Sequence, residues 1–506
     1  MTASTLSALI SETFGSTAPP LVKPTGFREY DARWWLGVPG SEIAPELDLP
    51  GVTAVGLGIG TYLHERGVRP DIVTGHDFRA YSAAVKAALA TGLVAAGCRV
   101  HDIGMGLSPS AYYAQVALDI PSVAMVTASH NENGWTGVKM GCERPMTFGP
   151  EEMTRVKDIV LSGAFRFREG GALQEVAGFA ERYIAALTDR AKLKRRLKVV
   201  VATGNGTAGA FAPRVLEAMG CEVVPLHTAL DHSFPNYNPN PEDMEMLDDV
   251  AAAVVAHGAD IGLAFDGDGD RCGVIDGRGR AIFADKVGVM LARDIALLHR
   301  PARFVVDVKS TSLFATDPVL RERGAETEYW KTGHSHIKRR LNQTGAIAGF
   351  EKSGHFFFGA PIGHGYDDAM ITALAVCDML DRNPQSSFAE LYDALPQTWG
   401  SPTMSAHCAD EEKYGIADKV TLRIEAMAKA GATIAGHAIA GLVTVNGIRV
   451  VTDDGSWGLV RASSNKPELV VVVESPVSDL RMREMFQAID GLLRENPEVG
   501  AYNQSI

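Results

Sequence analysis

Short runs rich in valine and isoleucine recur along the chain, and a polar segment and then a helical pattern follow each run. The runs are Asp71–Val73, Ser122–Val126, Lys198–Val201, Asp260–Phe265, Arg303–Val308 and Ala346–Gly349. Apolar residues at helical spacing follow at Ala83–Ala96 and Gly209–Met219. Buried strands that alternate with helices predict an α/β fold with largely parallel or mixed sheets. Since such sheets bind ligands at the carboxyl ends of their strands, the polar segments are candidate site residues.

Chain length and the placement of turn-rich segments predict four domains. The chain has 506 residues, which at about 150 residues per domain corresponds to three or four compact units. Candidate junctions lie at Gly170–Gly171, Asp276–Arg280 and Pro396–Pro402. We therefore expect α/β domains at residues 1–174, 175–279 and 280–394. Residues 395–506 show a hairpin-like strand pair and a terminal helix at Ser478–Arg494, which predicts a smaller α+β domain.

Composition excludes several classes of protein. Hydrophobic residues make up 46% of the chain and charged residues 22%, as in ordinary globular proteins. With 48 basic and 61 acidic side chains, the net charge of −13 argues against a nucleic-acid partner. The six cysteines form no C-x-x-C pair, no basic residue precedes Lys23, and no apolar run approaches membrane-spanning length. We expect a cytoplasmic protein with neither a secretory signal nor a membrane partner.

The segment Asp266–Arg271 reads DGDGDR and follows an apolar run directly. Asp266, Asp268 and Asp270 alternate with glycines, so their carboxylates can turn toward one point without crowding. Three crowded carboxylates repel one another unless a cation neutralises them, and hard oxygen ligands suit Mg²⁺. An EF-hand is disfavoured because Arg271 stands where that loop requires Gly, and Gly277 where it requires Glu. An acidic solvated turn is the alternative to a metal site.

A second polar segment, Thr127–Asn131, reads TASHN and follows the run Ser122–Val126. Ser129 at a strand end is a candidate nucleophile, although no G-x-S-x-G surrounds it. His130 is adjacent in sequence, which does not by itself establish a nucleophile–base pair. A turn that caps backbone groups is the structural alternative. Beside a metal loop, a phosphorylated serine would place acceptor oxygens and negative charge near the cation.

Further polar segments follow later strands. In GFEKSGH, Glu351 and Ser353 lie two residues apart, and on an extended segment both would face one side and bind adjacent sugar hydroxyls. In RASSNKP, Arg461 offers a cationic fork to a phosphate. The segments around Lys309 and His334 could line the same cleft. A polar surface loop is the alternative interpretation of each.

Taken together and in order, these segments resemble the α-D-phosphohexomutase family, in particular its bacterial phosphomannomutase/phosphoglucomutase branch. The segments that carry the resemblance are FREYDAR at Phe27–Arg33, TASHN, DGDGDR, WKTGHS at Trp330–Ser335, EKSGH and RASSNKP. They extend over nearly the whole chain. The resemblance implies three α/β domains with mixed sheets, each of which contributes one loop to a central cleft. It also implies a smaller α+β domain that closes over this cleft.

The resemblance also implies a role for individual residues. Ser129 would be the phosphoserine and a metal ligand, together with Asp266, Asp268 and Asp270 on Mg²⁺. Lys139 and His355 match positions associated with proton transfer, and Arg271 matches a position near the phosphoryl group. The positions that match substrate-binding residues are Tyr30, Arg33, Lys309, His334, Glu351, Ser353, Arg461, Ser463 and Asn465.

The implied reaction interconverts the 1- and 6-phosphates of mannose and glucose through a hexose 1,6-bisphosphate, in a monomer or weak dimer. Glucose 1,6-bisphosphate is the implied activator because it restores the phosphoserine. A phosphoglucosamine mutase is the alternative within the family. An aspartyl-nucleophile phosphatase, with Asp266 phosphorylated and Asp268 as acid and base, is the alternative outside it. A non-catalytic sugar-phosphate binder is disfavoured because Ser129 and all three aspartates are present.

Overall fold

The structure is a computed structural model that describes residues 20–504 and residue 506. The chain divides into two compact units. The first unit contains the described residues up to Phe283, together with Ser353–Phe388. The second unit contains Ala284–Lys352 and the described residues from Ala389 onward. We describe each unit by itself.

The first unit begins with a mixed six-stranded sheet in the order β1-β5-β4-β2-β3-β6. Its strands are β1 (Ala32–Trp35), β2 (Asp71–His76), β3 (Arg99–Met105), β4 (Ser122–Val126), β5 (Trp135–Gly141) and β6 (Ala172–Glu175). Its helices are α1 (Leu49–Glu65), α2 (Ser82–Ala95), α3 (Ser108–Ala117) and α4 (Pro150–Ser162). β4, β2, β3 and β6 run parallel, β5 runs antiparallel to β4, and β1 runs antiparallel to β5. Every residue of β4 is buried, as expected for a strand covered on both faces.

A second mixed sheet in the same unit has five strands in the order β11-β10-β9-β7-β8. Its elements are α5 (Phe179–Thr188), β7 (Lys198–Ala202), α6 (Ala212–Ala218), β8 (Glu222–Leu226), α7 (Met244–His257), β9 (Ile261–Phe265), β10 (Cys272–Asp276) and β11 (Ala281–Ile282). Short 3-10 helices lie at Pro24–Gly26 and Thr207–Ala210. β9 and β10 are antiparallel, and Phe265 is paired with Cys272. Residues 266–271 are therefore the connection of a β-hairpin.

The next part of the chain contributes to both units. In the second unit, β12 lies between β13 and β14, and all three strands are parallel. The elements there are α8 (Ala284–Leu298), β12 (Arg303–Asp307), α9 (Leu313–Thr316), α10 (Pro318–Glu322), β13 (Glu326–Trp330), α11 (His334–Thr344) and β14 (Ala348–Phe350). The first unit contains the antiparallel pair β15 (Phe356–Phe358) and β16 (Tyr366–Asp367), followed by α12 (Ala369–Arg382). Helix α13 (Phe388–Asp393) comes next.

The C-terminal part of the second unit is an antiparallel sheet with two long helices. The sheet order is β17-β23-β22-β21-β20-β19, with β18 also paired to β23. Its elements are β17 (Trp399–Gly400), β18 (Met404–His407), α14 (Asp410–Lys429), β19 (Thr433–Ile434), β20 (His437–Val443), β21 (Ile448–Thr452), β22 (Trp457–Ala462), β23 (Glu468–Ser475) and α15 (Asp479–Leu493). Helices α14 and α15 pack on the central strands β22 and β23. The predicted fold class, α/β domains with mixed sheets and a smaller α+β domain, is confirmed.

The elements differ from the sequence prediction mainly at their ends. The run Ser122–Val126 coincides with β4, and the predicted terminal helix is α15, with the Ser478 side chain as its N-cap. The helix predicted at Gly209–Met219 is shorter, because a 3-10 turn precedes it and α6 begins only at Ala212. Pro213 explains this start, since proline lacks an N–H and is tolerated only in the first turn of a helix.

Two further features concern the cysteines and the helices. All six cysteines lie in the described part of the chain, where they are buried and form no disulfide. Among the helices of residues 20–504, none combines the length and the apolar character that crossing a membrane requires.

A buried carboxylate joins two parts of the second unit. Glu474 on β23 accepts hydrogen bonds from Lys286 Nζ at 2.6 Å and from Thr311 Oγ1 and the Ser312 N–H at 3.0 Å. Trp457 Nε1 and Thr398 Oγ1 also donate to it at 3.0 Å. The C-terminal sheet is thereby bonded to α8 and to the segment after β12. The Glu474 carboxylate and the Lys286 ammonium are both buried, so removal of either would leave the other as an uncompensated buried charge.

We expect Glu474→Gln to destabilise the second unit by about 3–5 kcal/mol, because it leaves the buried Lys286 ammonium without a counter-charge. Denaturant unfolding followed by tryptophan fluorescence measures this change. Glu326→Gln is the control, since Glu326 pairs with Arg303 at the surface, and an exposed pair contributes at most about 1 kcal/mol. Equal losses of unfolding free energy in both variants would contradict the role of Glu474 in joining the C-terminal sheet to α8.

The same variant has a predicted pH dependence. Burial by itself would raise the pKa of Glu474, but Lys286 and the surrounding donors lower it to about 2 from its ordinary value of 4.5. A carboxylate with a lowered pKa in the folded protein contributes its full stability above the ordinary pKa and loses it at lower pH. The stability difference between the wild type and Glu474→Gln should therefore shrink as the pH falls from about 5 towards 2. A constant difference over this range would contradict the prediction.

Candidate active site

Ser129 lies in the loop Thr127–Asn131, which follows β4 and which we call the serine loop. Ser129 is buried, and its φ of +52° lies in the left-handed region that residues other than glycine rarely adopt. Its N–H donates to Thr127 Oγ1 at 2.9 Å. Its Oγ donates to Asp266 Oδ2 at 3.2 Å and lies 3.3 Å from His130 Nδ1. The surrounding structure must hold this conformation, because it is unfavourable by itself.

The metal loop, Asp266–Arg271, connects β9 and β10 in the same unit. The side chains of Asp266, Asp268 and Asp270 are fully buried, and their nearest carboxylate oxygens lie within 4.8 Å of one another. Asp266 Oδ1 accepts hydrogen bonds from the N–H groups of Asp270 at 3.0 Å and Arg271 at 3.1 Å. The loop thus folds back on its own first carboxylate, which brings the three aspartates together.

Two basic side chains face this acidic cluster. Lys139 on β5 contacts Asp268 Oδ2 with its Nζ at 2.6 Å and also contacts Asp270. Arg271 donates from Nε to Asp266 Oδ2 at 3.2 Å, and its guanidinium also contacts His130. Since Lys139 comes from the first sheet and the metal loop from the second, these ion pairs hold the two sheets' loops together.

Burial and charge change the pKa values of these groups. Burial raises the pKa of Asp266 to about 8, and the neighbouring Asp270 and Asp268 carboxylates add to the effect. Burial also acts to raise the pKa of Asp268, but Lys139 and a hydrogen bond from Ser108 outweigh it and hold that pKa below its ordinary value. Burial alone would lower the pKa of Lys139, yet Asp268 and Asp270 keep it well above its ordinary value. Lys139 is therefore protonated in this arrangement.

The acidic cluster fits a cation. The Oδ1 atoms of Asp268 and Asp270 are buried and accept no hydrogen bond. A buried carboxylate oxygen without a partner is costly, and metal coordination relieves that cost. The set of hard oxygen donors suits Mg²⁺ or a similar divalent cation.

Other predicted residues of the first unit lie around these two loops. Arg33 pairs with Asp31 at 2.9 Å and donates to the Ala128 carbonyl in the serine loop at 2.8 Å. Tyr30, three residues earlier, is buried. His355 Nδ1 lies 3.0 Å from Asp367 Oδ2 and 3.6 Å from Asp270 Oδ1. These contacts bring the expected proton-transfer residue His355 to the acidic cluster.

In the second unit, three segments that follow β12, β13 and β14 lie together. The buried Asp307 accepts hydrogen bonds from Ser310 Oγ at 2.5 Å and Thr332 Oγ1 at 3.1 Å. Lys309, which precedes Ser310, and His334, which lies two residues after Thr332, are also buried. Glu351 Oε1 accepts a hydrogen bond from the Gly333 N–H at 2.6 Å. The parallel register of the three strands brings their ends to one edge.

The expectation that Glu351 and Ser353 lie on one extended segment is wrong. The chain turns after Glu351, and Gly354 has a φ of +93°. Glu351 is buried in the second unit, whereas Ser353 is partly exposed and belongs to the first. The roles of both residues on a sugar remain predictions.

The end of β22 and the segment that follows it contain the remaining predicted residues of the second unit. Arg461 is buried, donates to Ser464 Oγ at 3.1 Å, and has an Nε without a hydrogen-bond partner. Ser463 and Asn465 are partly exposed. The Lys466 N–H donates to Ser463 Oγ at 3.2 Å, which shapes the loop. A buried guanidinium with an unused donor is suited to binding an anion.

Several residues at these sites were not predicted from the sequence. Ser108 at the start of α3 donates to Asp268 across 160 positions of sequence. Asp367 contacts His355, and Asp307 connects the segments of the second unit. Each follows or begins an ordinary element and carries no local motif. Only the position of Asp307 at the end of an apolar run was a usable signal.

The chain matches known proteins over most of its length. Four family models, all described as phosphoglucomutase/phosphomannomutase, match in order: alpha/beta/alpha domain I at residues 26–167, domain II at 181–279, domain III at 283–399 and the C-terminal domain at 409–492. The matched segments contain both loops of the first unit and all the predicted residues of the second unit.

Individual relatives agree with these matches. A phosphomannomutase/phosphoglucomutase of Pseudomonas putida is 35% identical over 95% of this chain and 98% of its own. A phosphoglucomutase of Neisseria gonorrhoeae is 30% identical over 94% of this chain and 97% of its own. A crystal structure of a phosphoglucomutase/phosphomannomutase family protein from Burkholderia thailandensis has a TM-score of 0.81 at 31% identity, covering 94% of this chain and 98% of its own.

We expect Asp270→Asn to weaken divalent-cation binding at least about tenfold, because it replaces a charged ligand of the acidic cluster by a neutral one. Isothermal titration with Mg²⁺ and with Mn²⁺ measures the affinity. The matched control is Asp453→Asn, since His437, Asp453 and Asp454 form a second, more exposed group with metal-ligand spacing. Loss of binding in the control and not in Asp270→Asn would contradict the assignment.

Proposed function

The chain belongs to the phosphoglucomutase/phosphomannomutase family, and we propose that it interconverts the 1- and 6-phosphates of mannose and of glucose with Ser129 as phosphoryl carrier. Its membership makes it an isomerase that moves a phosphoryl group within a sugar phosphate. The observation that carries the proposal is the position of Ser129 Oγ, 3.2 Å from the buried acidic cluster. Mannose and glucose phosphates are favoured as substrates because the Pseudomonas putida relative is named for both activities.

In the proposed reaction, phosphorylated Ser129 transfers its phosphoryl group to the free hydroxyl of a hexose phosphate and gives a hexose 1,6-bisphosphate. The bisphosphate then reverses its orientation, and the other phosphoryl group returns to Ser129. Such transfers depend mainly on positioning and electrostatic stabilisation. Asp266, Asp268 and Asp270 would hold a divalent cation, proposed to be Mg²⁺, whose positive charge would offset the negative charge of the phosphoryl group.

Basic residues of the first unit support this transfer. Protonated Lys139 and Arg271 add positive charge beside Ser129, since both contact the acidic cluster. His355 is the proposed proton acceptor for the sugar hydroxyl. Its Nδ1 lies 3.0 Å from Asp367 Oδ2, and this contact orients the imidazole ring. Lys139 remains a second candidate for proton transfer once a bound cation competes for its carboxylate partners.

Residues of the second unit are proposed to bind the sugar phosphate. Arg461, with its unused Nε, and Ser463 and Asn465 would bind the phosphate that is not being transferred. Glu351, together with Ser353 of the first unit, would bind sugar hydroxyls, and Lys309 and His334 would complete the contacts. Tyr30 and Arg33 would border the serine loop. Because the bisphosphate binds in two orientations, these contacts must tolerate its reversal.

The test is a coupled assay with Mg²⁺ and a trace of glucose 1,6-bisphosphate, in which the 1-phosphates of glucose, mannose and glucosamine are supplied separately. We expect conversion of the first two and little of the third. Ser129→Ala should abolish conversion, a loss of at least about 1,000-fold, because no group is left to carry the phosphoryl. Ser122→Ala is the matched control, since Ser122 is a buried serine on the preceding strand whose Oγ has no hydrogen-bond partner.

The other outcomes distinguish the alternatives. Preferred conversion of glucosamine 1-phosphate would replace the proposed substrates by those of a phosphoglucosamine mutase. Release of inorganic phosphate that survives Ser129→Ala and requires Asp266 would favour an aspartyl-nucleophile phosphatase. Full conversion by Ser129→Ala would exclude the phosphoserine route.

A further inference from the structure

The segment Asp77–Arg79 follows β2 and has no part in the proposed chemistry, yet it is bonded to the serine loop. Asp77 is fully buried and accepts hydrogen bonds from Ser82 Oγ at 2.5 Å and from the Ala128 N–H at 3.4 Å. Its own N–H donates to the Val126 carbonyl at 3.0 Å. Asp77 also pairs with the buried guanidinium of Arg79. The end of β2 and the end of β4 are therefore held side by side.

Arg79 donates to the serine loop at two carbonyl oxygens. Its Nη2 lies 3.1 Å from the carbonyl oxygen of Ser129 and 2.6 Å from that of Asn131. The guanidinium carbon also lies 5.3 Å from the centre of the Phe234 ring, which covers it. Both carbonyls follow the Cα atom of Ser129, the residue with positive φ. Arg79 thus fixes the backbone after this residue, and its partner Asp77 binds the Ala128 N–H before it.

The same Ser129 carbonyl lies against the metal loop. A Cβ atom on Gly267 would lie only 2.3 Å from the Ser129 oxygen, so only glycine permits this approach. The Gly267 carbonyl accepts a hydrogen bond from the Thr207 N–H at 3.1 Å. Thr207 Oγ1 in turn accepts from the Phe78 N–H at 3.3 Å, which returns the connection to the segment that carries Arg79.

From this closed ring of contacts we infer that Arg79 is a positioning residue that, together with Thr207, fixes Ser129 against the metal loop. The inference that Arg79 affects the reaction rate rests on the proposed function of Ser129 as phosphoryl carrier. Arg79 fixes the carbonyl of Ser129 from one side, and Gly267 limits its movement from the other. The hydroxyl is thereby held toward Asp266, in a conformation that Ser129 would not keep unaided. A displacement of about 1 Å at a reacting group can reduce a rate about 100-fold.

Arg79→Met and Arg79→Lys test the inference in the full-length protein. We expect Arg79→Met to lower kcat about 100-fold with little change in KM, since the substrate-binding residues are untouched. Arg79→Lys should restore only part of the rate, because an ammonium cannot reproduce the fork of a guanidinium. Thr207→Val should lower kcat less, and Thr207→Ser, which keeps the hydroxyl, should behave as the wild type.

Hydrogen exchange of residues 127–131 gives a readout that does not depend on the reaction. Arg79→Met should accelerate exchange in the serine loop, because the loop loses its fixed carbonyls. The matched control is Arg481→Met in the C-terminal sheet domain. Arg481 is also buried, pairs with Asp454 at 2.7 Å, and donates at 3.0 Å to the carbonyl of Ala435, another residue with positive φ. It should leave the serine loop and kcat unchanged.

The outcomes separate the inference from the proposed function. Unchanged exchange in Arg79→Met, or equal acceleration in Arg481→Met, would overturn the positioning role. Faster exchange of residues 127–131 in Arg79→Met, together with a large fall in kcat at unchanged KM, would support it. If Ser129→Ala still converts substrate while Arg79→Met accelerates exchange in the serine loop, the positioning role stands and the proposed function fails.

Discussion

Three aspartates in the buried metal loop repel one another, and much of the first unit is arranged around that repulsion. The carboxylate oxygens of Asp266, Asp268 and Asp270 lie within 4.8 Å of one another without solvent to screen them. Lys139 and Arg271 offset part of the charge, and burial raises the pKa of Asp266 to about 8. Loss of either basic group would leave buried carboxylates without a counter-charge, and a bound cation would add positive charge to the same cluster.

This arrangement explains why the two loops of the first unit belong to different sheets. A serine loop after β4 supplies the hydroxyl, and a hairpin connection between β9 and β10 supplies the carboxylates. Lys139 and Ser108 come from the first sheet and its helix, and both bind Asp268 of the second. These contacts hold the serine loop and the acidic cluster next to each other. The second unit has its own buried charge pair, Lys286 with Glu474, which bonds its C-terminal sheet to the segment that carries Lys309.

Sequence patterns predicted the elements well where burial determined them. The run Ser122–Val126 is fully buried and coincides with β4, because apolar β-branched residues favour a strand covered on both faces. The prediction was poorer where local geometry decided, as after Glu351, where residues 352–354 form a turn that ends at Gly354 with a positive φ. It was also poorer at α6, where a 3-10 turn replaces the expected first helical residues. Element ends depend on single hydrogen bonds, to which hydrophobic periodicity is insensitive.

The sequence by itself determined the α/β character, the acidic DGDGDR loop and the serine after a buried strand, because each is written in adjacent residues. Only the tertiary structure decided which distant groups bind these loops. Arg79 lies 50 positions from Ser129, and Lys139 lies 129 positions from Asp268. Hydrogen bonds and ion pairs require the two partners within a few ångströms. Chain separation does not encode that distance, so the contacts exist only once the sheets have folded and their strand ends have come together.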